Sequence, residues 1–205
     1  MKLVREHINE KFTDDSDPIK DMGIGIRHKI EEWLKEYDKK VINYRINADL
    51  TIDADLLDFF GSGIGNLPKY INFNKISYKL DFHEANLTSL RGFPKKFNGA
   101  IYLGLNKLES LKYIPVGKIG DLMLFSNDLK SLKGCPQEII GNFNCSKNPN
   151  LKSLEYMPSK INGNFICFNT GMTDKYIANY IKTNKIYIFG KKIITSLDAE
   201  REHYF

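Results

Sequence analysis

Three cysteines, an acidic run, a glycine-rich run and a ladder of basic residues are the groups in this sequence with the most potential for chemistry. Cys135, Cys145 and Cys167 are odd in number and lack CxxC spacing, so they outline neither a disulfide framework nor a zinc site. A thiol nucleophile needs a base within hydrogen-bond reach, and none is identifiable for Cys135, which the pattern places on a loop. Asp14, Asp15 and Asp17 lack the remaining ligands of a calcium loop and read as a solvated turn. Gly61-Ser62-Gly63-Ile64-Gly65 lacks the lysine and the helix of a phosphate loop, and neither G-x-S-x-G nor H-E-x-x-H occurs. His7 and His28 stand alone. The sequence therefore predicts a non-enzymatic protein with no catalytic residue, cofactor or metal.

The basic ladder is more regular. Arg91, Lys112 and Lys133 are spaced by 21 residues, with Lys107, Lys130 and Lys152 nearby and Glu109 and Glu155 interrupting them. If successive copies stack as parallel strands about 4.8 Å apart, Arg91, Lys112, Lys133 and Lys130 would face a phosphate backbone. The overall balance gives this only mild support, because 30 basic residues are offset by 25 acidic ones for a net charge of +5.

The spacing of that ladder leads to the elements that would carry it. Strand-like segments begin at Leu57, Leu80, Ile101, Leu122, Phe143, Phe165 and Ile186, in steps of 23, 21, 21, 21, 22 and 21 residues. A second apolar residue follows each at Phe59, Phe82, Leu103, Leu124, Cys145, Cys167 and Ile188. Three positions later stand Ser62, Ala85, Asn106, Asn127, Asn148 and Thr170, and further columns of leucine, proline and glycine keep the same register. A period in this range is the signature of a solenoid.

These columns resemble the leucine-rich repeat family, most closely at Leu103 to Leu108 and Leu122 to Leu129. The resemblance covers residues 57 to about 190. It implies an α/β solenoid with a curved parallel sheet of about seven short strands, and a buried Asn in each turn bonded to loop backbone. Ser62, Ala85 and Thr170 depart from the Asn position, as terminal repeats do. The segment EKFTDDSDPIKDMGIG resembles an N-terminal motif of bacteriophage-encoded proteins of unknown function, which would place the protein in the host cytoplasm or the virion.

Flanking segments complete the expected organisation. Residues 1–25 read as a short helix, with Val4, Ile8 and Phe12 spaced by four, followed by an extended arm rich in Asp, Ser, Pro and Gly. Residues 26–56 read as a cap. Ile30, Trp33, Leu34 and Tyr37 line one face of a helix from Arg27 to about Lys39, with Trp33 in the core, and a hairpin follows near Leu50 and Ile52. The solenoid then spans 57–190. It closes with a helix through Tyr176, Ile177, Tyr180 and Ile181, a seventh strand at Ile186 and Ile188, and a charged tail at 191–205. No apolar run approaches the ~18 residues of a membrane span, and the N-terminus lacks a signal-peptide core, so a cytoplasmic site is the expectation.

Strand side chains alternate, so the residue between each inward pair points out. That column reads Asp58, Asp81, Tyr102, Met123, Asn144, Ile166 and Tyr187, and the adjoining one Phe60, His83, Gly104, Phe125, Ser146, Phe168 and Phe189. Tyr102, Met123, Phe125, Ile166, Phe168, Tyr187 and Phe189 would form a contiguous apolar patch of the kind that binds protein. The alternatives are cover by the N-terminal arm or C-terminal tail, and β-formers tolerated on a wet face. The leading expectation is a module that holds or blocks a protein partner through this face. Nucleic-acid binding along the basic ladder and a self-assembling structural role are the others.

Overall fold

The computed structural model describes residues 18–190 and 193–195. His7, the acidic cluster at Asp14, Asp15 and Asp17, the Val4/Ile8/Phe12 segment and most of the tail lie outside them. Helix α1 (Pro18–Glu36) leads into β1 (Val41–Ile42), β2 (Arg45–Ile46), β3 (Ile52–Asp58), β4 (Phe73–Asp81), β5 (Gly99–Tyr102) and β6 (Ile119–Met123). After β6 each turn carries two strand pieces: β7 (Glu138–Ile139) and β8 (Phe143–Asn144), then β9 (Lys160–Ile161) and β10 (Phe165–Ile166). Helix α2 (Asp174–Thr183), β11 (Tyr187–Ile188) and β12 (Ile193–Ile194) follow. The whole is a parallel-strand β-solenoid of about five turns.

Helix α1 begins earlier than the sequence pattern predicts. The DPIKDMGIG stretch is expected to be an extended arm, yet the chain is helical from Pro18. Proline suits a first helical turn because its missing N–H has no partner there and its φ is preset. Gly23 and Gly25 lower helix propensity by about 1 kcal/mol each, and packing of the C-terminal half compensates. Ile30 and Leu34 are fully buried, and Trp33 stacks on Phe59 with ring centroids 5.9 Å apart.

The register of the array is continuous through Leu57, Leu80, Ile101, Leu122, Phe143 and Phe165, all fully buried. Phe59, Phe82, Leu103, Leu124, Cys145 and Cys167 form a second fully buried column beside it. Burying each large side chain contributes about 1.5–3 kcal/mol relative to leaving it in water. Because every rung repeats the pattern, the core is a continuous apolar stack.

The last rung corrects the expected one. Ile186 and Ile188 stand at the 21-residue period, but the strand paired with Phe165 and Ile166 is Ile193–Ile194. Tyr187 and Ile188 instead pair with Lys160 and Ile161, one step earlier along the turn. Seven in-phase strands ending at Ile188 are therefore not what forms. A helix rises only about 1.5 Å per residue against about 3.3 Å for extended chain, so α2 uses more residues to cross the turn and delays the next strand.

Three buried asparagines hold the turns in register. Asn127 accepts from the Leu108 N–H at 3.0 Å and donates from Nδ2 to the carbonyls of Leu103, Leu124 and Phe125. Asn148 repeats this with the Leu129 N–H and the carbonyls of Leu124, Cys145 and Ser146. Asn106 accepts from both Ala85 and Leu87 and donates to Phe82, Leu103 and Gly104. A turn leaves backbone groups unpaired, and burial without partners would be costly, so a side chain carrying both donor and acceptor suits the position. Glu84, Leu105, Ser126, Lys147 and Asn169 all adopt positive φ of 50–55° just before or at the matching point of each turn.

A second ladder runs through the bend between the paired strand pieces. Gly141 donates to the Gly120 carbonyl, Gly163 to Gly141 and Gly190 to Gly163. A Cβ on Gly163 would lie 2.5 Å from the Gly141 carbonyl atoms, so no side chain fits between these stacked backbones.

Candidate functional site

The outward column pairs Asp58, Asp81, Tyr102, Met123, Asn144 and Ile166 on successive rungs, as strand alternation requires. Tyr102, Met123, Phe125 and Ile166 are half-buried, so each keeps an accessible edge while its base packs on neighbours. Phe168 is buried, and with Ile194 and Ile166 it forms a small apolar cluster separate from the main core. Tyr187 and Phe189 are exposed by 61% and 65% and stack on each other at 6.5 Å. Their pairing with β9 sets them apart from the column that contains Tyr102, because Ile194 takes the place after Ile166.

Within the adjoining column, three rings join across four rungs. Phe60 and His83 stack at 5.5 Å with an interplanar angle of 21°, and His83 meets Phe125 at 5.1 Å. Gly104 lies between His83 and Phe125, and a Cβ there would stand 2.7 Å from the Phe125 ring and 3.0 Å from His83. The missing side chain is what lets Phe125 lean back onto His83. Phe60 and His83 thus belong to the same surface as Phe125, although the apolar pattern alone does not single them out. The signal that finds them is the aromatic, His, Gly, aromatic order of one outward column.

Charge is concentrated at the N-terminal end of this face. Lys79 lies two residues before Asp81 on the same side of β4, and its Nζ sits 2.8 Å from Asp58 and 3.2 Å from Asp81. Burial disfavours the Asp58 carboxylate, but bonds from Lys79 and the Phe60 N–H, with the charges of Lys79 and Lys40, outweigh it and hold the carboxyl below its usual range. The hydrogen bond to Asp58, opposed by partial burial and aided by Asp81, raises the Lys79 ammonium. Asp58, Asp81 and Asn144 each accept from the N–H two residues ahead, at Phe60, His83 and Ser146, closing the turn that ends the strand.

The basic ladder is divided among different tasks. Arg91 folds back onto the carbonyls of Leu67, Pro68 and Lys69 at 2.6–3.1 Å, where it completes the backbone bonding of the preceding turn. Lys130 pairs with Glu109 at 2.6 Å, and Lys112 lies 4.9 Å over the Tyr113 ring. Lys133 is exposed.

The three thiols are buried and unpaired as disulfides. A hydrogen bond with Cys167, reinforced by burial, pushes the Cys145 thiol up, and burial alone pushes Cys135 up. Thiolates, the reactive form, are disfavoured at both. Among the described residues there is no group of three or more His, Cys, Asp or Glu able to hold a metal ion, and no helix is long and apolar enough to cross a membrane. Comparison with protein-family models, with curated proteins and with solved structures gives no match.

Proposed function

We propose that this chain is a non-catalytic, leucine-rich-repeat-like binding module that holds or blocks a protein partner through its outward strand face. In this reading α1 and the β1–β3 hairpin cap one end of the solenoid, and α2 with β11 and β12 caps the other. The observation that carries it is the unbroken line of Phe60, His83 and Phe125 across Gly104, flanked by Tyr102 and Met123. Rigid aromatic side chains fixed by their neighbours lose little entropy on binding, and they are enriched in interface cores. Asp58, Lys79 and Asp81 add a polar rim at one end.

The test is copurification from the native cell, with mass spectrometry of what is retained. The resemblance of EKFTDDSDPIKDMGIG to phage-encoded proteins makes an infected bacterial host the first source to try. Tyr102→Asp combined with Phe125→Asp is expected to abolish retention of a partner while circular dichroism stays unchanged. Full retention by a folded double variant would refute the reading. Self-association is a second reading, favoured by the exposed Tyr187 and Phe189 beside the edge strand β11. Light scattering that stays monomeric across a wide concentration range would rule it out.

A further inference from the structure

We infer that the cleft between Asn74–Tyr78 and Lys96–Asn98 binds single-stranded nucleic acid. The starting point is the longest step among the rungs from Leu57 to Phe165, 23 residues from Leu57 to Leu80. Strand β4 pairs with β3 at an offset of 21 at Ile52 and Phe73, which becomes 23 at Leu57 and Leu80. The two extra residues are absorbed where the register shifts, between Ile52 and Asp53 and between Ala54 and Leu56. Bulges of this kind re-aim side chains away from the sheet, and they are enriched beside functional sites. Here they turn Tyr78 out to 73% exposure, the highest of any large apolar or aromatic residue described.

A cleft of about 580 Å³ opens at the bulges, lined by Asn74, Lys75, Ser77, Tyr78, Lys96 and Asn98 among others. Lys75 and Lys96 stand on its two sides. Lys95 adjoins it, and Lys118 is held beside it by the bond from its N–H to the Asn98 side chain at 2.8 Å. None of these four lysines takes part in an ion pair with another described residue, and all are exposed, whereas Lys79, Lys130 and Lys160 are each matched to a carboxylate. Two acids of β3 stand in register with this stretch of β4: Asp53 is bonded by Arg45, Asn47 and Asn74, and Asp55 by the Asn43 amide. The cleft therefore combines an excess of positive charge, four lysines against two carboxylates, with an open aromatic face and amide side chains. Lysines track a phosphate backbone, and an exposed ring stacks on an unpaired base, which a duplex keeps hidden. This surface does not include the Arg91 ladder or the aromatic line of the strand face, so its failure would leave the proposed function untouched.

Fluorescence anisotropy with a labelled oligothymidylate of about 12 nucleotides tests the assignment. Four lysine–phosphate contacts on a single strand give an affinity that falls about 50-fold between about 50 and 200 mM salt. Lys75→Glu combined with Lys96→Glu is expected to reduce affinity at the lower salt by more than about tenfold. Removal of the stacking ring by Tyr78→Ala is expected to cost about five- to 150-fold. Lys112→Glu combined with Lys133→Glu is expected to leave affinity within about twofold, since those residues lie on another flank. The assignment is overturned if no saturable binding occurs at the lower salt, or if the Lys112/Lys133 variant loses as much as the Lys75/Lys96 variant. It is also overturned if Tyr78→Ala is neutral and polyglutamate displaces the oligonucleotide at equal charge concentration, which would mark a surface for acidic protein.

Discussion

Replacing each buried asparagine by alanine should destabilise the solenoid in the order Asn106, Asn148, Asn127, although the three residues occupy equivalent positions. The ranking follows from which backbone groups have another partner. In Asn127→Ala the carbonyls of Leu103 and Leu124 keep bonds from Asn106 and Asn148, and Phe125 keeps the Leu105 N–H, so only the Leu108 N–H is orphaned. In Asn148→Ala both the Leu129 N–H and the Cys145 carbonyl lose their bond. In Asn106→Ala the N–H groups of Ala85 and Leu87 and the carbonyl of Phe82 are all stranded. An unsatisfied buried group costs about 1–3 kcal/mol, which gives about 1–3, 2–6 and 3–9 kcal/mol for the series. The last range reaches the whole stability of an ordinary domain, about 5–15 kcal/mol. Urea unfolding reads the differences as midpoint shifts of about 0.5 M per kcal/mol. Hydrogen exchange at the Leu87, Leu108 and Leu129 amides reports each site separately, which matters because solenoid turns can open locally. Equal destabilisation by all three variants would refute the accounting, since the lost side chain would then matter only as volume.

Three further outcomes follow from the geometry. Gly163→Ala should destabilise by more than about 3 kcal/mol, because its Cβ would overlap the Gly141 backbone, whereas Gly61→Ala, with open space but φ of +59°, should cost only about 1 kcal/mol. Thermal or urea melts separate the two, and a mild Gly163→Ala would show that the stacked turns can part. The depressed Asp58 carboxyl contributes stability that is present above its unfolded value near 3.8 and is lost as pH falls through the lower folded value. Asp58→Asn should therefore flatten the acid limb of the stability profile below about pH 4, by no more than about 1 kcal/mol given its exposure. Cys135, Cys145 and Cys167 should resist a thiol reagent at pH 8 while the protein is folded and react in denaturant. Rapid labelling in the native state would contradict their burial.

Much of this architecture is written in local patterns. The 21-residue spacing fixes which residues face inward, because a strand's side-chain period is two and one solvated face cannot absorb Leu80, Leu103, Leu122 and Leu124. The buried Asn column is the expectation that the leucine-rich-repeat resemblance carries, and the need of each turn for a donor and an acceptor in one side chain supports it. The outward position of Tyr102, Met123 and Phe125 follows from the same alternation. Pairing between rungs is different, because hydrogen bonds to a neighbour 20 or more residues away decide it and periodicity only suggests it. Hence Ile186 and Ile188 keep the period by spacing alone, while the strand beside Phe165 is Ile193–Ile194. The same holds for charge: Arg91 occupies its place in an even ladder, but free carbonyls of the preceding turn claim its guanidinium. The sequence by itself determined a solenoid and its inward columns. Only the tertiary structure decided where the two surplus residues of β4 bulge, which rung closes the array, and how Gly104 brings Phe125 onto His83. Those three depend on how far the chain must travel to meet its neighbour, a distance that residue spacing along one strand does not contain.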